Sequence, residues 1–236
     1  MNMRSSKDAS KPPAPLYELR GVSQRYTVGG QVVHALDQVD LEVSRGEFLA
    51  VAGPSGSGKT TLLNLLGLVD TPVTGSMRFE GGAVAELDEG ARTRIRRERI
   101  GYIFQTFNLI PVLTAYENVE YFLLKRGVGA DEVRRRVSEA LGAVGVAEQA
   151  RRRPSEMSAG QRQRVAIARA LVRDADVILA DEPTAALDHA TGRGLIDLMK
   201  KLNREKGTAF VFSTHDPRVL AAAERVVWLE DGRVRP

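Results

Sequence analysis

Three groups of residues in this 236-residue chain have the types and spacing of reactive machinery. The first is Gly53-Pro54-Ser55-Gly56-Ser57-Gly58-Lys59-Thr60, continued by Thr61. It follows the apolar run Phe48 to Ala52 and precedes the apolar Leu62-Leu63-Asn64-Leu65-Leu66, so it reads as strand, glycine-rich turn and helix. Gly56 and Gly58 lack Cβ and tolerate positive φ, which lets successive N–H groups curl around phosphate oxygens at the positive end of the helix. Lys59 would reach the β- and γ-phosphates, and the Thr60 hydroxyl would ligate Mg²⁺. A Gly/Ser turn that happens to precede a core helix is the bland alternative, and the flanking strand and helix speak against it.

The second group is Asp181-Glu182, at the end of the β-branched run Asp176-Val177-Ile178-Leu179-Ala180. Two acids at the carboxyl end of a buried strand are costly unless something uses or pairs them. In a phosphate-loop protein the first such acid holds Mg²⁺ through its water shell. Strand neighbours point to opposite faces, so Glu182 is expected to differ from Asp181 and to act as base toward an attacking water. The third group is Ser213-Thr214-His215-Asp216, in which His215 sits at the carboxyl end of the strand Thr208 to Phe212, where α/β sheets place ligands.

Two further stretches are ambiguous. Met157-Ser158-Ala159-Gly160-Gln161 has capping-box form and reads either as an ordinary helix start or as a second anion site with free amides from Ala159 to Gln161. Tyr26, just before Gly29-Gly30, is either a platform for a nucleobase or a half-buried strand tyrosine.

The elements that must position these residues follow from periodicity. Residues 1–15 are Ser/Lys/Pro-rich and read as a disordered tail. Leu16 to Tyr26 alternates as an edge strand, and Val39 to Val43 alternates again, so two or three antiparallel strands lead into the loop strand. Gly75 to Phe79 and Ile100 to Phe104 are further strands, with Arg92 to Arg99 a basic helix between them. Thr114 to Val172 is helical almost throughout; Thr114 to Glu117 caps its first helix, and Val133, Val137, Leu141 and Val144 share one face. Ala190 to Lys206 is an amphipathic helix stopped by Gly207, and Val226 to Val234 reads as a terminal hairpin. The fold class is therefore α/β: a phosphate-loop NTPase core with an antiparallel β subdomain and an inserted helical subdomain at about 107–172, in one domain from 16 to 236.

Composition narrows the setting. No apolar run is long enough to span a bilayer, the start lacks the apolar core of a signal peptide, and there are no cysteines, so a cytosolic protein is expected. The net charge of +4 suggests nucleotide phosphates, nucleic acid or anionic lipid as partner. The arginine clusters at 92–99, 134–136 and 151–153 are interleaved with glutamates, which favours solvated helix faces over nucleic-acid binding.

Taken in order, GPSGSGKT, Gln105, MSAGQ, VILADE, AALD with Asp188, and His215 resemble the ATP-binding subunits of ABC transporters. FNLIPVLTAYENV, RVAIARAL and LADEPTAALD look most like the lipoprotein-releasing and macrolide-efflux type. The resemblance implies that Tyr26 stacks on adenine and that Gly53 to Thr61 bind phosphate. It implies that Gln105 senses Mg²⁺ and the attacking water, Asp181 holds the metal, Glu182 is the base and His215 touches the γ-phosphate. It further implies that Ser158, Gly160 and Gln161 contact ATP on a second copy, with Asp188 communicating across the homodimer. Met157 and Ala159 depart from the usual LSGGQ, and the Ala159 methyl would weaken that second contact.

The implied function is ATP hydrolysis driving a membrane permease from the cytoplasmic face of the inner membrane. A soluble enzyme of the same superfamily and an ATP-dependent scaffolding partner are the alternatives. Residues 107–113, apolar on an expected loop, read either as the permease dock or as core tucked under the helical subdomain.

Overall fold

The computed structural model describes residues 14–124 and 127–235, so most of the expected N-terminal tail lies outside the described residues. From the amino end, β1 (Tyr17–Val28) and β2 (Gln31–Val43) pair antiparallel through the Gly29-Gly30 turn. β3 (Phe48–Ala52) is buried at every residue and delivers the chain into the glycine-rich loop and α1 (Lys59–Leu66). β4 (Thr74–Phe79) and β5 (Gly82–Ala83) return to the first sheet, whose order is β2-β1-β4-β5. β1 is thus a central strand, not the edge that its alternation suggests. The cause is pairing across a long sequence gap: Tyr17 opposes Phe79 and Leu19 opposes Met77, with the Tyr17 and Phe79 rings 5.0 Å apart.

α2 (Glu89–Arg99) is capped by Asp88, has Glu89 in its first turn and arginines in its last, and buries no residue. Its arginines fold onto its own acids, Arg92 on Glu89 at 2.8 Å and Arg96 on the same carboxylate at 2.5 Å. β6 (Ile100–Ile103) follows, and then α3 (Ala115–Leu124), α4 (Ala130–Ala143) and α5 (Ala159–Leu171). Thr114 caps α3 as expected, exchanging hydrogen bonds with Glu117. The shared face of Val133, Val137, Leu141 and Val144 is buried in the core. On its outer face α4 pairs Arg135 with Glu132 and Glu139, each at 2.8 Å, which makes that cluster a solvated, ion-paired surface.

β7 (Val177–Asp181), α6 (His189–Lys206), β8 (Ala209–Ser213), α7 (Pro217–Ala222), β9 (Arg225–Glu230) and β10 (Arg233–Arg235) complete the chain. Gly207 stops α6 at φ 65°, as the sequence predicts. The six-stranded sheet runs β10-β9-β3-β8-β7-β6 and is parallel from β9 to β6. The terminal hairpin therefore does more than close the chain, because β9 also pairs with β3 beside the loop strand. There Trp228, opposite Ala52, leaves 53% of its surface exposed.

Alternation along β7 shows how this sheet is covered. Ile178 and Ala180 pack with Phe48, Phe210, Phe212 and α3 to α6 on one face, whereas Val177 and Leu179 pack with α1 and the antiparallel sheet on the other. Both faces being buried explains why β3, β7 and β8 are continuous apolar runs. Truncating a ring at the centre of this packing, as in Phe210→Ala, costs about 3 to 5 kcal/mol.

Candidate functional site

At the carboxyl ends of β3, β7 and β8 lies a cavity of about 700 Å³. One wall is the loop after β3. Its backbone is possible only with glycine at two points: Gly58 has φ 102° and a Cβ there would stand 2.3 Å from the Ala35 carbonyl, and Gly53 has φ 153° with Leu229 O at 2.0 Å. Gly58 is also the residue before α1, which has no side-chain cap and no acid in its first turn, so the helix start presents bare positive dipole. Lys59 donates from Nζ to the carbonyls of Gly53 and Pro54, both at 2.7 Å. Two of its three protons are thus tied to the loop itself, and the third is left for a ligand.

Ser55, Gly56, Thr60 and Thr61 line the cavity with Gly53, Gly58 and Lys59. Ser57 does not: its side chain is buried, its Oγ has no hydrogen-bond partner, and its carbonyl accepts from Gly232 N at 3.1 Å. Its role is to anchor the loop on the β9–β10 turn.

Opposite the loop stand Asp181, Glu182, His215 and Gln105. Thr60 Oγ1 lies 3.4 Å from Asp181 Oδ2. A hydroxyl, a carboxylate and the Gln105 amide are hard oxygen donors, the kind Mg²⁺ takes together with phosphate and water, so these residues fit that ion. Glu182 is oriented differently from the sequence expectation. β7 ends at Asp181, and Glu182 stands at φ 44°, its N–H held by Ser213 O at 2.9 Å and its C-terminal neighbour Pro183 disfavouring the right-handed helical region. A left-handed turn, not strand alternation, sets its direction, and both acids face the same cavity. Glu182 Oε1 meets His215 Nδ1 at 2.7 Å, and Glu182 Oε2 accepts from Thr214 Oγ1 at 3.2 Å. The Glu182 side chain is 14% exposed and the His215 ring 77%, so the carboxylate is sheltered and the imidazole is the open edge.

Tyr26 does not line this cavity. Its hydroxyl donates to Asp70 Oδ2 at 2.7 Å, and partial burial is the leading cause that pushes its ionisation upward. Its cross-strand partner Val33 does line the cavity, with His34 and Ala35. This wall of β2 was missed by sequence reasoning; it reads as ordinary strand and arrives only because β2 folds over Gly58.

Ser158, Gly160, Gln161 and Asp188 gather elsewhere, in a separate cavity of about 410 Å³ between the starts of α5 and α6. Ser158 Oγ accepts from Gln161 N at 3.2 Å and Gln161 Oε1 from Ser158 N at 3.0 Å, so the capping box itself uses one of the three amides expected to be free. Asp188 caps α6 through Thr191 N at 3.0 Å. Gly160 is required by packing, since a Cβ there would stand 2.6 Å from the Thr191 methyl. Ala159 lines this cavity directly.

The loop after Gln105 is neither plain core nor plain surface. Phe107 and Asn108 have φ 62° and 48°, and both their carbonyls accept from Arg169 of α5, a guanidinium whose ionisation burial brings down to about 10. The buried Asn118 fixes the next turn, bonding Ile110 N at 2.7 Å and the carbonyls of Leu113 and Thr114 at 3.1 and 2.9 Å. Leu109 packs on the core, while Ile110 joins Val69, Phe104 and Phe122 around an apolar cleft of about 350 Å³ and Val112 is 73% exposed.

Residues 36–185 match the ABC transporter domain family. The macrolide export ATP-binding/permease protein MacB 1/2 of Paracoccus denitrificans is 48% identical over 94% of this chain and 33% of its own length. The lipoprotein-releasing system ATP-binding protein LolD of Bordetella avium is 42% identical over 91% of this chain and 94% of its own. The chain thus spans about a third of the first relative and nearly all of the second. A dimeric ATP-binding cassette, MJ0796 of Methanocaldococcus jannaschii, solved in a post-hydrolysis state with ADP and Pi, superposes with a TM-score of 0.86 at 43% identity, covering 93% of this chain and 97% of that one. Among the described residues no helix is long and apolar enough to cross a membrane.

Proposed function

The chain belongs to the ABC transporter family, and from that premise we propose that it is the ATP-hydrolysing subunit of a transporter of the lipoprotein-release or macrolide-export type. What supports this reading most is a single juxtaposition: an uncapped helix start, Lys59, the Thr60–Asp181 pair and the Glu182–His215 pair around one cavity. The single ATP-binding domain runs from 16 to 236. Tyr26, paired across β1 and β2 with the cavity-lining Val33, meets the adenine beyond the cavity's rim. The loop amides and Lys59 hold the phosphates, and Thr60, Asp181 and Gln105 hold Mg²⁺. When bound, that ion neutralises charge developing on the γ-phosphoryl group. Glu182 accepts a proton from the attacking water while His215 steadies its carboxylate and meets the γ-phosphate.

Ser158, Gly160, Gln161 and Asp188 face a different cavity, so in one chain they are half of a site; a second copy brings them over the first copy's nucleotide, giving a homodimer around two ATP molecules. The apolar cleft that Ile110 lines, together with the exposed Val112 two residues on, receives a permease helix, and the chain works on the cytoplasmic face of the inner membrane.

Phosphate release from MgATP by the purified chain tests the enzymatic half; it is expected in the parent and lost in Lys59→Ala, and an inactive parent would refute it. Docking is tested by Val112→Asp, which should abolish co-purification with the membrane subunit while folding and ATP binding stay parental, because a charge costs little in water and much in a partner's groove. Retained association would place the dock elsewhere.

A further inference from the structure

Between the two cavities lies the turn from Glu182 to His189, and its restraints converge on one side chain that lines neither cavity. Arg218, at the start of α7, donates from Nη1 to the carbonyl of His189 at 3.0 Å. The same guanidinium grips Asp216, with Nε to Oδ1 at 2.9 Å and Nη2 to Oδ2 at 2.6 Å. Asp216 in turn accepts from Thr184 Oγ1 at 2.6 Å, so the turn is held near both of its ends by one ion pair. From Asp216 the chain of bonds continues to the reacting groups: its N–H donates to Thr214 Oγ1 at 3.0 Å, and that hydroxyl donates to Glu182 Oε2 at 3.2 Å. Burial would raise the Asp216 carboxyl, but the bonds from Arg218 and Thr184 outweigh it and hold it at about 2.

The helix facing the guanidinium is shaped to admit it. Gly192 lies inside α6, where glycine is a poor helix former, and a Cβ there would stand 2.5 Å from Arg218 Nη1. The obstacle is the tip of a flexible side chain, so an added methyl displaces the guanidinium and leaves the helix alone.

We propose that Arg218 is a positioning residue for ATP hydrolysis: it fastens the start of α6, and with it Asp188, to the strand end that carries His215 and, through Thr214, to Glu182. The inference rests on the reading of the chain as an ATPase that works as a dimer. Asp188 opens on the second cavity and Glu182 on the first, so this staple fixes the relative placement of the two half-sites. Misplacement of reacting groups by about 1 Å costs about 10²-fold in rate.

The test compares the parent with Arg218→Gln, Gly192→Ala, the double variant and Arg218→Lys, reading kcat, KM for ATP, Tm and, in a Glu182→Gln background, ATP-driven dimerisation. Arg218→Gln is expected to lower kcat by about 10- to 100-fold with KM little changed, and to weaken dimerisation. Gly192→Ala should lower kcat in the same direction with KM for ATP held, at temperatures well below its Tm, where a merely structural role costs no turnover. The double variant should match Arg218→Gln alone, because both act through one guanidinium. Arg218→Lys should remain impaired, since an ammonium cannot reproduce the fork that spans Asp216 and His189. Parental kcat in Gly192→Ala, additive losses in the double variant, or full rescue by lysine would each overturn the assignment. Should Arg218→Gln fail to fold, Gly192→Ala decides alone. A parent that hydrolyses no ATP refutes the functional reading instead, and the two failures are thereby distinct.

Discussion

The loop cavity and the cavity between α5 and α6 are built on the same device, the electropositive start of a helix, and differ in what surrounds it. α1 starts at the carboxyl ends of three buried parallel strands, which bring a lysine, two acids and a histidine to the same place. α5 and α6 start at the surface, and their first amides are partly used by Ser158 and Asp188 as caps. One cavity holds groups that can move a proton; the other offers hydrogen bonds and a dipole. Strand ends are what separate the proposed reacting centre from the proposed binding edge, because they fix side chains that loops would leave free.

The sharpest way to break this contrast is Glu182→Gln. Turnover should fall about 10²- to 10⁴-fold, roughly 3 to 5 kcal/mol of barrier, with ATP affinity nearly intact and an ATP-bound dimer accumulating. Parental turnover, measured as phosphate release, would remove the assignment of the base and with it the chemical distinction between the cavities.

Tyr26→Ala asks how far the loop cavity extends. Loss of a stacking ring is worth about 1 to 3 kcal/mol, so ATP binding should weaken roughly 5- to 150-fold, with Tyr26→Phe largely restoring it. Because the Tyr26 hydroxyl bonds Asp70, a phenylalanine that binds as poorly as alanine would assign the effect to that bond and not to the ring face.

Asp216 joins the two regions and gives a pH signature. Its folded carboxyl lies at about 2, below the ordinary 3.8, so its contribution is present above pH 4 and is lost as pH falls through 2. Its size is about 2 kcal/mol, and unfolding free energies of the parent and Asp216→Asn should converge across that window. A difference that stays constant down to pH 2 would show the ion pair to be without consequence for stability.

The smallest expected effect is at the binding edge. Ser158→Ala removes the α5 cap and should cost about 1 kcal/mol of stability. ATP-driven dimerisation should weaken with it while nucleotide binding to the single chain does not change, which separates the two cavities by measurement. An equal loss of single-chain binding would merge them.

Much of this was legible in the sequence, and for a physical reason. A glycine-rich turn between a buried strand and a helix admits few backbones, and continuous apolar runs such as Ile178 to Ala180 admit few places in a sheet. What escaped depends on approach across long gaps. The wall of Val33 to Ala35 exists because the Ala35 carbonyl comes within reach of Gly58, and β1 is central because Phe79 finds Tyr17. Neither leaves a local mark. Glu182 escaped differently: a strand's alternation was extended one residue too far, into a turn set by Ser213 and Pro183. The separation of Ser158 from the loop was implied only by resemblance, since nothing in MSAGQ says which cavity it faces.

Trp228 has an optical consequence. It is the only tryptophan of the chain, it is half open to solvent, and it lies across one hydrogen-bonded step from Ala52, the last residue before the glycine-rich loop. Its emission and its accessibility to a collisional quencher therefore come from a single address beside the strand that enters the glycine-rich loop. Nucleotide titrations on the unlabelled protein can be followed there without a second fluorophore to subtract.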